Sequence, residues 1–148
     1  MARLHVEAKG VARAAPQVVW ELVANADTYS EWGPWSAGGY DNLGDQAPDA
    51  AGVTRWFRYG RTITVEMVLE SEPAQRLVYI VVNGIPVRNY RAEVTLNPEG
   101  EGTHIRWSAS WDRTLHGRIV HRRLRRLYPD VVRRLIAAAE HTVQAAKT

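Results

Sequence analysis

Hydrophobic and polar residues alternate with a period of two over most of residues 53–111, and with a period near 3.6 over residues 114–147. The first period is that of a strand with two unlike faces, the second that of an amphipathic helix. Val53–Tyr59 leads through Gly60 into Arg61–Glu70, a hairpin signature. There Ile63, Val65, Met67 and Leu69 share an apolar face, opposite Thr62, Thr64, Glu66 and Glu70. Glu72-Pro73 turns the chain, Arg76–Asn83 is apolar on both faces, and Gly84-Ile85-Pro86 turns it again. Val87–Leu96 alternates Tyr90, Ala92, Val94 and Leu96 with Arg91, Glu93 and Thr95. After a polar turn, Thr103–Trp111 puts Ile105, Trp107, Ala109 and Trp111 on one face. Consecutive strands joined by short turns predict an antiparallel meander.

Residues 3–13 read as a further strand whose small residues Ala8, Gly10 and Ala12 either leave cavity volume or let a helix approach closely. Pro16 suits the first turn of a short helix ending near Asn25. Asp27 or Thr28 can cap a second one through Tyr29 and Trp32, which Gly33-Pro34 stops. Residues 36–52 predict a long loop with room for a short strand, of the kind that forms lids or binding loops and is mobile without ligand. In the last segment Val120, Leu124, Leu127, Val131, Leu135, Ala138 and Thr142 form one apolar stripe. An unbroken helix there would be roughly 50 Å long, more than a small domain needs. Pro129 therefore predicts a kink or break, with residues 130–146 as the packed half.

The 148 residues fit one domain, 1–148, and 45% apolar content is enough for one core. The absence of cysteine excludes disulfides, thiolate metal sites and a cysteine nucleophile. No secretory leader or membrane-spanning run is visible, which gives a cytoplasmic expectation. The net charge of +3 is unevenly spread: residues 112–134 hold eight arginines against Asp112 and Asp130, a surplus of +6, and the rest of the chain is acidic. The Arg118–Arg134 segment is either a solvated helix face or a patch for an anionic membrane surface or an acidic partner. No nucleic-acid module accompanies it, so nucleic acid is not expected as a partner.

Catalytic signatures are sparse. His5, His104, His116, His121 and His141 have no metal-ligand spacing, and no GxSxG elbow, Walker or Rossmann pattern occurs, so neither metal nor cofactor is expected. His116, at the start of the last helix, is the best-placed acid/base. Glu66, Arg91 and Glu93 fall on the polar phase of their strands, where cross-strand ion pairs form. Arg55, Asn83, Arg88 and Asn89 lie near strand ends or turns and could hydrogen-bond a ligand's carbonyl or carboxylate. Six Trp and six Tyr against one Phe combine apolar area with polar tips, which suits a ligand cavity as well as a core. Tyr29, Trp32 and Trp35 come from the short-helix segment; Tyr79, Tyr90, Trp107 and Trp111 come from strands.

The order of elements, with Ala15-Pro16-Gln17-Val18-Val19-Trp20, Tyr29-Ser30-Glu31-Trp32, Glu72-Pro73 through Arg76-Leu77, Gly84 to Tyr90, and Gly102-Thr103 before the Trp107 strand, resembles the START-like, or SRPBCC, superfamily. It is most similar to the polyketide cyclase/dehydrase-like bacterial members, over nearly the whole chain. That resemblance implies an α+β helix-grip fold: a curved antiparallel sheet of about seven strands around a long C-terminal helix, with two short helices after strand 1. It also implies a cavity for a small hydrophobic molecule, lipid or polyketide-like, held by a carrier or binding protein. The alternative is a cyclase, aromatase or dehydratase using the same cavity without metal or covalent nucleophile. No catalytic set carries over residue by residue. Arg55, Met67 and Leu124 join the seven aromatic residues as the expected cavity lining.

Overall fold

The computed structural model describes residues 2–148. The chain runs β1 (Arg3–Ala12), α1 (Pro16–Val23), a 3-10 turn (Ala26–Thr28), α2 (Tyr29–Trp32), β2 (Ala37–Asp41), β3 (Thr54–Tyr59), β4 (Thr62–Glu72), β5 (Arg76–Asn83), β6 (Arg91–Glu99), β7 (Gly102–Asp112) and α3 (Leu115–Ala146). All seven strands form one curved antiparallel sheet in the order β1-β7-β6-β5-β4-β3-β2. The meander β2–β7 is therefore sequential, and β1 closes it along β7. The long helix lies in the grip of this sheet, the expected α+β architecture.

The small residues of β1 serve close approach. A Cβ on Gly10 would stand 2.4 Å from Ile136 Cδ1 and 3.5 Å from Val132 Cγ1. Glycine lets α3 lie against the sheet there, and no β1 residue lines the cavity walled by Tyr79, Tyr90 and Trp107. Pro16 opens α1, and Val19, Trp20 and Val23 face the core at helical spacing. The 3-10 turn is capped by Asn25, whose side chain accepts from Asp27 N; Thr28 is the N-cap residue of α2, as expected, but its side chain makes no capping bond. The Thr28 hydroxyl instead donates to Leu22 O and accepts from Trp32 Nε1.

The 36–52 segment carries the short strand allowed for by the sequence, β2, which leaves residues 42–53 as the connection. Three expectations change. β6 begins at Arg91, because residues 84–90 form a turn in which Asn89 takes a positive φ of 56°. α3 is unbroken across Pro129, which lies on the exposed side. The bond that proline forfeits is to the Arg125 carbonyl, one turn back on the same solvent-facing side, where water can take it. Both halves are packed: Val120, Leu124 and Tyr128 are buried before Pro129, and Val131, Val132, Leu135 and Ala139 after it.

The third change is the phase of β4. Ile63 and Leu69 are exposed, while Glu66 and Val68 are buried. Register explains this: Arg55 pairs with Glu66 and Phe57 with Thr64, and both Arg55 and Phe57 point inward and are fully enclosed. Thr62, Thr64 and Glu66 therefore face inward too. The apolar phase makes an outer face with Trp56 and Ile80, which are the cross-strand partners of Val65 and Met67. Elsewhere the outer face is charged as expected: Glu93 accepts from Arg76 at 2.8 Å, and Arg91 reaches Glu70 at 3.5 Å.

Candidate ligand cavity

A cavity of ≈ 200 Å³ lies between the sheet, the 84–86 turn and the first half of α3. Tyr79, Tyr90 and Trp107 form its sheet wall. Val120, Leu124, Leu127, Tyr128 and Val131, spaced three and four apart, form its helix wall. The inward phase of β4 contributes Thr62, Thr64 and Glu66. Trp35, Tyr59, Ile85, Pro86 and Arg123 form the more open rim. Gly84 is held there by close approach: a Cβ on it would meet Ile63 O at 2.1 Å.

The polar tips inside are ordered. Trp107 Nε1 donates to Tyr79 Oη at 3.1 Å, and the Tyr90 and Tyr128 hydroxyls bond each other. Burial pushes the phenol pKa of Tyr79, Tyr90 and Tyr128 upward, so all three remain neutral hydrogen-bonding groups.

Glu66 is the one carboxylate on the wall. Its Oε1 accepts from Arg55 Nε at 3.1 Å. Arg55 is completely buried behind it and also donates from Nη1 to Val23 O at 3.1 Å, the last carbonyl of α1. A cation suits that position, because a helix C-terminus leaves carbonyls unpaired and carries partial negative charge. The rings of Tyr29, Phe57 and Tyr79 stand 5.0–5.2 Å from the guanidinium carbon. Nη2 is buried without a hydrogen-bond partner. Burial pushes the Glu66 carboxyl up to about 7, with the Arg55 charge and hydrogen bond opposing. Burial and the Arg55 charge thus pull the Glu66 proton equilibrium in opposite directions, burial the more strongly.

The structure brings Trp35, Tyr79, Tyr90, Trp107 and Leu124 together around the cavity. Tyr29 and Trp32 sit one layer behind it: Tyr29 stacks on Phe57 at 4.4 Å, and Trp32 lies 4.9 Å from Tyr29. Arg55 touches the cavity only through Glu66. Trp111 stacks on the far side of Tyr90 at 5.5 Å, and its Nε1 donates to Gly117 O. Met67 lies on the outer phase of β4, away from the cavity, a consequence of the inverted strand phase. His116 is exposed in the first turn of α3 and lines no part of the cavity, so it loses its place as acid/base candidate to Glu66. Asn83, Arg88 and Asn89 are exposed; Asn89 Nδ2 donates to Asp112 Oδ2.

Glu66 and Tyr128 were missed by sequence reasoning. Glu66 was legible in principle, since a two-residue turn at Gly60-Arg61 sets it opposite Arg55. Tyr128 follows Leu124 by four residues. Among the described residues, no group of three His, Asp or Glu side chains could hold a metal.

The side of α3 turned away from the sheet is exposed. Leu115 is 74% exposed and Ile119 50%, and Arg118, Arg122, Arg125 and Arg126 near them form no ion pair among the described residues. Arg133 and Arg134 pair with Asp130. No helix of the described residues is long and apolar enough to cross a membrane.

A sheet gripping one long helix, with a cavity between them, defines the helix-grip class of ligand-binding folds. Residues 3–140 match the family described as polyketide cyclase / dehydrase and lipid transport, and the chain belongs to that family. No curated protein matches its sequence significantly. Among solved structures it is similar to a protein from Thermobifida fusca, with 22% identity, 93% of each chain covered and a TM-score of 0.77. It is similar to XoxI from Bacillus cereus, with 15% identity, 100% of this chain and 99% of that one covered, and a TM-score of 0.75. DynU16, a protein of the dynemicin biosynthetic locus, is 22% identical, with 92% of this chain and 47% of that one covered and a TM-score of 0.71.

Proposed function

We propose that this protein binds a small, largely apolar molecule in the cavity between sheet and helix, as a carrier or binding protein. The observation that carries this reading is the cavity itself: aromatic and aliphatic walls with a few fixed polar tips, the usual make-up of a ligand site. Its size limits the ligand. An apolar cavity of about 150 Å³ takes one benzene, so ≈ 200 Å³ suits a one- or two-ring molecule better than a long acyl chain. Native mass spectrometry of freshly purified protein, followed by extraction, is the test. A stoichiometric apolar adduct supports the reading; bare mass, unchanged across an apolar ligand panel, refutes it.

A second reading, an enzyme of cyclase, aromatase or dehydratase type, is favoured by Glu66. A carboxylate on the wall of an apolar cavity, titrating near neutrality and oriented by a buried arginine, is equipped to take a proton and return it. Substrate turnover abolished in Glu66→Gln, with ligand still bound, would establish it. The exposed Leu115 and Ile119 beside unpaired arginines favour an anionic bilayer as the docking surface near the rim. Sedimentation with vesicles of anionic but not zwitterionic lipid, lost in Leu115→Ser/Ile119→Ser, tests it; capture by neither lipid removes it.

A further inference from the structure

The polar atoms of the cavity have unequal vacancies. Glu66 Oε1 is engaged by Arg55, and its second oxygen makes no hydrogen bond among the described residues. Glu66 keeps 11% of its side-chain surface and lines the cavity. Arg55 is fully buried, so its charge cannot greet a ligand directly. What the arginine presents to the cavity is an acceptor held in one orientation. Tyr79 lies on the same face of the sheet, diagonal to Glu66, since Val68 pairs with Tyr79 and Glu66 with Val81. The Tyr79 hydroxyl accepts from Trp107, and its own proton has no acceptor among the described residues. The wall therefore offers one vacant acceptor and, about 7–8 Å or less along the diagonal, one vacant donor.

We infer that Glu66 is the specificity-determining residue of this cavity, selecting a neutral ring-sized molecule with a hydroxyl donor and excluding carboxylates. This rests on the cavity being a ligand site. A ligand hydroxyl fills the vacant acceptor with a charge-assisted bond. A ligand carboxylate there places two anions together in a poorly solvated space, and the wall repels it. A purely apolar ligand leaves the carboxylate's second oxygen desolvated and unpaired. The charged and titratable groups around Glu66 include Arg55 on β3, Tyr29 on α2, Tyr79 on β5, Tyr90 just before β6, and Tyr128 and Arg123 on α3. The tyrosines are neutral, and Arg55 is already committed. Arg123 is an exposed rim residue whose attraction for anions is screened by solvent.

Three probes of one skeleton test this: naphthalene, 2-naphthol and 2-naphthoate, titrated at pH 8 and followed by tryptophan fluorescence. The wild type should bind 2-naphthol about tenfold or more tighter than naphthalene, the ratio expected of a hydrogen bond to a charged group. It should bind 2-naphthoate most weakly. Glu66→Gln should lose the naphthol preference and gain naphthoate affinity, because the Arg55 charge is then uncompensated. If that variant is unfolded, Arg55→Met/Glu66→Gln should bind naphthol and naphthalene within about threefold of each other. Equal wild-type binding of naphthol and naphthalene, or naphthoate binding as tight as naphthol, overturns the inference and leaves the cavity reading standing. Binding of none of the three overturns both.

Discussion

The buried Arg55–Glu66 pair makes a quantitative prediction about how this cavity wall is held. Arg55 has no exposed surface, and its only anionic partner among the described residues is Glu66 at 3.1 Å. Glu66→Leu strands a full charge that cannot neutralise itself, which costs about 3–5 kcal/mol. The Val23 carbonyl and the three flanking rings keep the guanidinium from being wholly unsatisfied, so the lower half of that range is expected. Arg55→Met leaves a carboxyl that can take up a proton, so its loss should be smaller, about 2–3 kcal/mol, including the lost bond to the end of α1. Arg55→Met/Glu66→Leu replaces both charges with side chains of similar volume and should lie within about 1–2 kcal/mol of wild type. The pair is then coupled by at least about 3 kcal/mol, read from urea denaturation of all four proteins at pH 8.5 with constant m-values. Single losses that simply add in the double variant, with coupling below about 0.5 kcal/mol, would refute the claim that these two charges depend on each other.

Trp107→Ala should cost about 3–5 kcal/mol, because the indole is buried between Tyr79, Trp32 and Tyr128; an unchanged melting curve contradicts this. The Glu66 carboxyl is pushed up from 4.5 to about 7, so between those values the folded chain holds a proton that the unfolded chain releases. Stability should therefore fall as pH rises from about 4.5 to 7 and level off above, relative to Glu66→Gln; a rise across that window disproves the assignment. Glu7, held at about 2 mainly by its hydrogen bond from Arg106, works the other way, with a contribution lost as pH falls from 4.5 towards 2. Amides in 42–51 should exchange far faster than those of the strands, while Gly52, which donates to Val68 O, is slow; uniform protection across the segment speaks against a mobile connection.

The fold was legible because its signals are long and mutually consistent. The β7 alternation carries Ile105, Trp107, Ala109 and Trp111, all of which are buried. The cavity was half legible. Tyr90, Trp107 and Leu124 sit on apolar faces that the sequence period identifies, and the same faces line the cavity, whereas Tyr79 lies on a strand apolar on both faces. β4 misled because the apolar phase of an antiparallel strand is assumed to face the core. Here Arg55, inward on the neighbouring strand, requires an anion opposite it, and that requirement overrides hydropathy. Pro129 misled for a different reason: proline breaks a helix when the orphaned carbonyl is enclosed, and here it lies on the solvent side. The depth of Tyr29 and Trp32 depends on how α2 docks against Phe57, a tertiary contact that no local pattern encodes.

The two halves of α3 carry different duties. Beyond Pro129, Val132, Leu135 and Ala139 are buried, and Ile136 lies against Gly10, so this half anchors the helix. Before it, Val120, Leu124 and Leu127 face an empty space instead of a complementary surface. Substitutions at those three positions change the shape of the space while leaving the anchor untouched. The shape of the cavity can therefore be altered by single mutations in the first half without compensating stability having to be acquired in the second.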